Sequence, residues 1–155
     1  MSQPSILISN DDGIYSDGIY ALWESMSEIG DTIVVAPNTE KSAVGHAITL
    51  SDPIRIEEVS RSGDFSGYAV NGTPADSVKI GVKAIMNSKP DIIISGINHG
   101  ANVGQSLLYS GTISAATEGT FLGIPSIAIS LDALRDCDFT TAKAVAKTVV
   151  NAVLE

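Results

Sequence analysis

The sequence predicts a doubly wound α/β domain with a mostly parallel sheet. Three observations carry that reading. Short apolar runs rich in β-branched residues recur along the chain without the polar–apolar alternation of a half-exposed strand. Segments with helical three- and four-residue spacing separate these runs, as crossovers between parallel strands require. The chain of 155 residues is long enough for one such domain and its core, and it contains no repeats, low-complexity tracts or linker-like stretches.

The elements follow in order. Ser5-Ile6-Leu7-Ile8-Ser9 reads as a buried strand. Residues 18–29 read as a helix that places Ile19, Leu22, Trp23, Met26 and Ile29 on one face, with Asp17 as N-cap or first-turn acid and Gly30 as its stop. Thr32-Ile33-Val34-Val35-Ala36 is a second strand ended by Pro37, and residues 38–46 are a polar loop. Residues 47–50 and 54–59, with Pro53 between them, are expected as edge strands or a hairpin, with a turn around Arg61-Ser62-Gly63-Asp64 and a short strand at Tyr68-Ala69-Val70. Thr73-Pro74-Ala75-Asp76 carries a helix-start signature, and the helix is expected to run to about Met86. Asp91-Ile92-Ile93-Ile94-Ser95 is a strand covered on both faces, followed by a loop over 98–109. Residues 112–121 are a helix stopped by Gly123 and Pro125, Ser126-Ile127-Ala128-Ile129-Ser130 is a strand, and 140–154 is an alanine-rich helix without a C-cap signal.

Composition narrows the function. Hydrophobic residues make up 44% of the chain, which a disordered segment would not have. The net charge of −9 argues against a nucleic-acid or anionic-membrane surface, but not against a small anion held by a cation and backbone amides. The lone Cys137 forms no internal disulfide and belongs to no zinc-type cluster. No apolar run approaches membrane-spanning length and residues 1–4 do not resemble a signal segment, so a cytoplasmic protein is expected.

In doubly wound sheets, ligands bind at the carboxyl ends of the strands. The loops after Ser9, Pro37 and Ser95 all open there, which brings Asp11, Asp12, the Ser42 loop and the Asn98 loop toward one crevice. Asp11 and Asp12 are adjacent like charges at the mouth of an apolar strand, and a cation there would relieve their repulsion. The bland alternative is that one caps the following helix while the other is solvated. Oxygen-only donors suit magnesium, manganese or calcium rather than zinc. Asn98 offers an amide oxygen, and nearby glycines allow backbone to approach a ligand. Ser42 offers a hydroxyl and Lys41 a charge for phosphate, although Lys-Ser alone is a weak signal. Tyr109-Ser110-Gly111-Thr112 precedes a helix, whose amides and hydroxyls either bind an anion or simply cap the helix. His99 is read as a packing or surface residue more readily than a catalyst, and His46 has no identifiable partner.

Several chemistries are excluded. There is no GxxxxGK[ST] P-loop, no GxGxxG after the first strand and no GxSxG elbow. The acids are Asp-Asp rather than Asp-x-Asp, which disfavours phosphatases with an aspartyl nucleophile. A phospho-acceptor signalling module also places an acidic pair after its first strand. It needs a further Asp after the third strand and a Lys after the fifth, and the Asn98 loop contains no acid.

Assembled, these residues resemble the SurE family of nucleotidases. The resemblance rests on six ordered blocks: Ile8-Ser9-Asn10-Asp11-Asp12-Gly13 with Gly18-Ile19; Val35-Ala36-Pro37 with Ser42; Gly72-Thr73-Pro74-Ala75-Asp76; Ser95-Gly96-Ile97-Asn98 with Gly100 and Asn102; Tyr109-Ser110-Gly111-Thr112; and Glu118-Gly119. It implies a Rossmann-like fold and a divalent-metal phosphomonoesterase acting on nucleoside 5′- and 3′-monophosphates, with polyphosphate as a further substrate of some members. It implies one cation (magnesium or manganese, with calcium as a crystal substitute) held by Asp11, Asp12, Ser42 and Asn98. Asp11 and Asp12 are then the catalytic pair, and Asn10, Asn102, Ser110, Gly111 and Thr112 surround the phosphate. Family members assemble as dimers or tetramers through a C-terminal extension. That extension is not in this sequence, so a core cut short, and an inactive one, is the remaining alternative.

Overall fold

A computed structural model describes residues 3–61 and 63–155. Ser62, placed by sequence in a turn, lies outside them, as do Met1 and Ser2. Six strands form one sheet: β1 (Ser5–Ser9), β2 (Asp31–Pro37), β3 (Ile56–Ser60), β4 (Ser66–Val70), β5 (Ile92–His99) and β6 (Ser126–Leu131). Their spatial order is β3-β4-β2-β1-β5-β6, and every pairing is parallel except the β3–β4 hairpin. The order reverses at β1, with β2 on one side and β5 on the other, which is where a doubly wound sheet opens its crevice.

Two apolar layers sandwich the sheet because successive strand residues face opposite ways. Ile6 and Ile8 of β1 join Ile19, Leu22 and Met26 of α1 (Asp17–Met26) and Ala142, Ala146 and Val150 of α4 (Thr140–Leu154). Leu7, Val35 and Ile93 face the other way, onto Val78 of α2 (Pro74–Ile80) and Ala115 of α3 (Gly111–Phe121). No helix among the described residues is long and apolar enough to cross a membrane.

Four local expectations change. The first helix ends at Met26 rather than Ile29, and Ser16 is its N-cap, with Asp17 in the first turn. The second helix is α-helical only to Ile80; a wider π turn, Gly81–Ile85, carries it on to Met86. Residues 47–50 form no strand, and β3 begins only at Ile56. The backbone there is satisfied by side chains instead: Thr49 N–H donates to Asp76, and Ala47 C=O accepts from Thr73 Oγ1 at 2.8 Å. Finally, β5 extends through Asn98 and His99, which pair with Ser130 and Leu131 after a register shift, and Gly104–Leu108 forms a 3-10 turn.

Asp76 is the post that ties this irregular segment to the helices. It closes a capping box with Thr73 and accepts both the N–H and the hydroxyl of Thr49, the latter at 2.6 Å. Burial works to raise its pKa, but the bonds from Thr49 and Thr73 outweigh it and hold the carboxyl below its ordinary value of 3.8. A depressed folded pKa contributes stability that is present above the unfolded value and lost as pH falls through the folded one. Asp76→Ala is therefore expected to cost about 2–3 kcal/mol at neutral pH, a lost cap plus stranded Thr49 donors. Urea denaturation should show that gap closing below about pH 4.

Candidate metal centre

The carboxyl ends of β1, β2 and β5 open into a cavity of about 640 Å³. Asp11, Asp12, Ser42, Asn98, Asn102 and Ser110 line it, so most of the residues singled out by sequence share one wall. Glu40, His99 and Tyr109 line it too. Three of the lining residues are carboxylates, and among the described residues no Lys or Arg lines the cavity to balance them. Lys41, read as a phosphate-binding charge, contributes its backbone instead, donating N–H to Asp11 C=O at 2.8 Å.

Asp11 is buried, with its carboxylate aimed at the start of α3. The Thr112 hydroxyl donates to Asp11 Oδ1 at 2.6 Å. Gly111 makes the approach possible: a Cβ there would lie 2.5 Å from Asp11 Cβ and 3.0 Å from Oδ2. Burial pushes the Asp11 pKa up, and the neighbouring Asp12 charge adds to the rise; bonds from the Thr112 hydroxyl and backbone N–H oppose it. Asp12 is held from the other side, where Oδ2 accepts the His99 backbone N–H at 3.2 Å and the ring Nδ1–H at 3.0 Å. Thr112 and His99 thus fix one oxygen of each carboxylate, and among the described residues the other oxygens carry no side-chain hydrogen bond.

The neutral donors are arranged similarly. The Asn98 Nδ2 donates to the carbonyls of His99 (3.2 Å) and Gly100 (2.8 Å), which turns its Oδ1 away from them. Ser42 reaches the cavity on the loop after β2, where its hydroxyl bonds Glu40. Among the described residues no three His, Cys, Asp or Glu side chains form a ready-made cage. The donor set is two carboxylates, an amide oxygen and a hydroxyl, a hard-oxygen set suited to a magnesium- or manganese-like ion. An acidic cavity with raised Asp11 pKa and unspent carboxylate oxygens is what a divalent cation would relieve.

Three of the residues assigned to phosphate sit elsewhere. Asn10 is fully buried, and its amide is consumed in a clasp: Nδ2 donates to Gly13 C=O and Ser16 Oγ, while Oδ1 accepts Gly13 N–H. Gly111 and Thr112 are buried behind Asp11 and do not line the cavity. The first turn of α3 offers its donors to the chain's own carboxylate. Ser110 does line the cavity, although its hydroxyl caps α3 by accepting Ile113 N–H. Asn102 lines it with Nδ2 bonded to Ser130 Oγ at 2.8 Å.

Residues 6–155 match the family model described as Survival protein SurE. The chain belongs to the SurE family. It is 52% identical over 149 residues to the 5′-nucleotidase SurE of Syntrophus aciditrophicus, covering 96% of this chain and 56% of that protein. The 5′-nucleotidase SurE of Caldanaerobacter subterraneus is 47% identical over 156 residues, covering 100% of this chain and 61% of that protein. The crystal structure of SurE from Aquifex aeolicus superposes with a TM-score of 0.88 at 42% identity, covering 97% of this chain and 60% of that one. The chain thus spans a little over half the length of these SurE relatives.

Sequence reasoning missed three features of the site. Glu40 is one residue from the Lys41-Ser42 pair that drew attention, and its acid in an otherwise polar loop was the available signal. His99 orients Asp12, and only the β5 extension reveals that it faces back across the crevice. His46, for which the sequence identifies no partner, donates Nε2–H to Glu118 Oε2 at 2.8 Å across 72 residues of chain.

Proposed function

We propose that this chain is the cation-binding core of a SurE phosphomonoesterase that hydrolyses nucleoside 5′-monophosphates, with 3′-monophosphates and short polyphosphate as further substrates. The observation that carries the reading is the pair of oriented carboxylates in an acidic cavity at the switch point of the sheet. The names of the relatives point to the same chemistry. Asp11, Asp12, Ser42 and Asn98 would hold one divalent cation, magnesium or manganese. When bound, that cation supplies neutralisation of phosphate charge and a lowered pKa for attacking water.

The chain's own residues do the rest. His99 holds Asp12 in one rotamer, and Thr112 does the same for Asp11, so neither carboxylate must reorganise as charge develops. Asn102 and the α3 N-terminus at Ser110 flank the cavity on the side open to a phosphate. Tyr109, 63% exposed, lines the cavity and is the aromatic side chain there on which a nucleoside base would stack. The working protein is proposed as a cytoplasmic homodimer or homotetramer. A phospho-acceptor module is not favoured, since the family relatives are nucleotidases by name.

The test is release of inorganic phosphate from 5′-AMP, with and without magnesium or manganese, run beside the longer Syntrophus relative. Metal-dependent release by both is the expected result. Release by the relative alone overturns the reading for this chain and leaves the inactive-core alternative.

A further inference from the structure

Residues 38–55 contain no helix or strand, yet they carry Ser42 to the cavity. What keeps such a strap in place is a set of ties to other elements. Lys41 N–H donates to Asp11 C=O, Gly45 N–H to Tyr109 C=O at 3.0 Å, and Thr49 to Asp76. A further tie runs side chain to side chain to a buried acid of α3, the helix that also holds Asp11. The side chain of Glu118 is 6% exposed, and both of its oxygens are engaged: Oε2 accepts His46 Nε2–H at 2.8 Å, and Oε1 meets Lys79 Nζ of α2 at 3.1 Å. The His46 ring lies stacked on Phe121, with centroids 5.3 Å apart and planes 16° from parallel.

The same helix holds Asp11 through Thr112, six residues before Glu118, or about 9 Å along the axis. One rigid element therefore grips both sides of the candidate site: Asp11 directly at its first turn, and the Ser42 strap through His46. We propose that Glu118 is a positioning residue which, by way of His46, sets the distance between Ser42 and the Asp11–Asp12 pair. Neither Glu118 nor His46 lines the cavity, so they act through Ser42 rather than on substrate. The inference rests on the reading of Ser42 as a cation ligand. Removing one partner from a buried, paired carboxylate is disruptive, so the effect should be measurable.

The test is a double-mutant cycle read as manganese affinity by titration calorimetry. Ser42→Ala and His46→Ala should each weaken manganese binding at least about 5-fold, just under the ~10–100-fold that outer partners of metal ligands contribute. The double variant should bind no more weakly than Ser42→Ala alone, because His46 then has nothing to position. His46→Gln, which keeps an N–H donor, should recover most of the affinity. In His46→Ala, amide exchange at Lys41, Gly45 and Thr49 should accelerate while Ser114 in α3 is unchanged. If His46→Ala does not fold, Glu118→Gln takes its place in the cycle. Additive losses, or unchanged binding in His46→Ala, overturn the positioning role and leave Ser42 as a ligand. Unchanged binding in Ser42→Ala overturns the ligand reading and the positioning role with it.

Discussion

Asp11→Asn is expected to lower metal-dependent phosphate release by at least about 100-fold, since loss of even an outer partner of a metal ligand costs ~10–100-fold. The fold should survive. Asn keeps an oxygen in the place where Asp11 accepts the Thr112 hydroxyl, and it fills the same space against Gly111. In the absence of metal the variant should even be more stable than the wild type at neutral pH. The sign follows from the raised pKa of Asp11, caused first by burial. The folded state holds that proton more tightly than the unfolded chain does. Stability therefore falls as pH rises from the ordinary value of 3.8 through the folded one. Removing the charge should therefore raise the metal-free Tm at neutral pH. Manganese should raise the Tm of the wild type and leave Asp11→Asn unchanged. A variant that turns over normally, or that gains the same Tm from manganese, would refute Asp11 as a ligand.

Gly18→Ala is expected to be among the most destabilising single-methyl additions in the chain. Gly18 is the second residue of α1, where helix propensity alone favours Ala by up to ~1 kcal/mol. Packing reverses the sign. A Cβ at position 18 would lie 2.0 Å from the Ile97 carbonyl oxygen and 3.1 Å from its carbon, so helix and strand backbones must separate. Overpacking against backbone costs roughly 3 kcal/mol or more, and the net loss should exceed 2 kcal/mol by urea denaturation, several degrees in Tm. The displacement also reaches the site, because Ile97 directly precedes Asn98 and His99 on β5. Manganese affinity should fall along with stability. Gly104→Ala is the control: among the described residues beyond its own local backbone no atom lies within 4 Å of its Cβ position, so only the strain of its positive φ of 58° is felt, about 1–2 kcal/mol. A Gly18→Ala variant no less stable than Gly104→Ala would sink the packing argument.

The two substitutions show how unevenly the site is written in the sequence. Asp11-Asp12 is legible because two adjacent acids ending a buried strand are anomalous by themselves, and the parallel topology then dictates which loops share their edge. The partners of those acids are not legible. Thr112 looks like an anion-binding or capping residue, and only the depth of α3 against β1 shows that its hydroxyl goes to Asp11. Asn10 lies within the same motif, but its amide is consumed by the turn that Gly13 makes, with φ at +95°. Residues 47–50 have strand-like composition but join no strand, and Asp76 and Thr73 take the Thr49 N–H and the Ala47 carbonyl instead.

The sequence by itself determined the α/β class, the order of the strands' apolar runs, the capping box at Thr73 and the acidic pair. Each of these is set by local spacing or by residues adjacent in the chain. Tertiary structure alone decided that Thr112 and His99 orient the two carboxylates, that Asn98 and His99 belong to β5 rather than to a loop, and that Glu118 reaches the Ser42 strap through His46. Those contacts join residues 72 to 101 positions apart, and no periodicity or composition encodes a hydrogen bond across such a distance. It exists only once burial on both faces of the sheet has fixed where each helix begins.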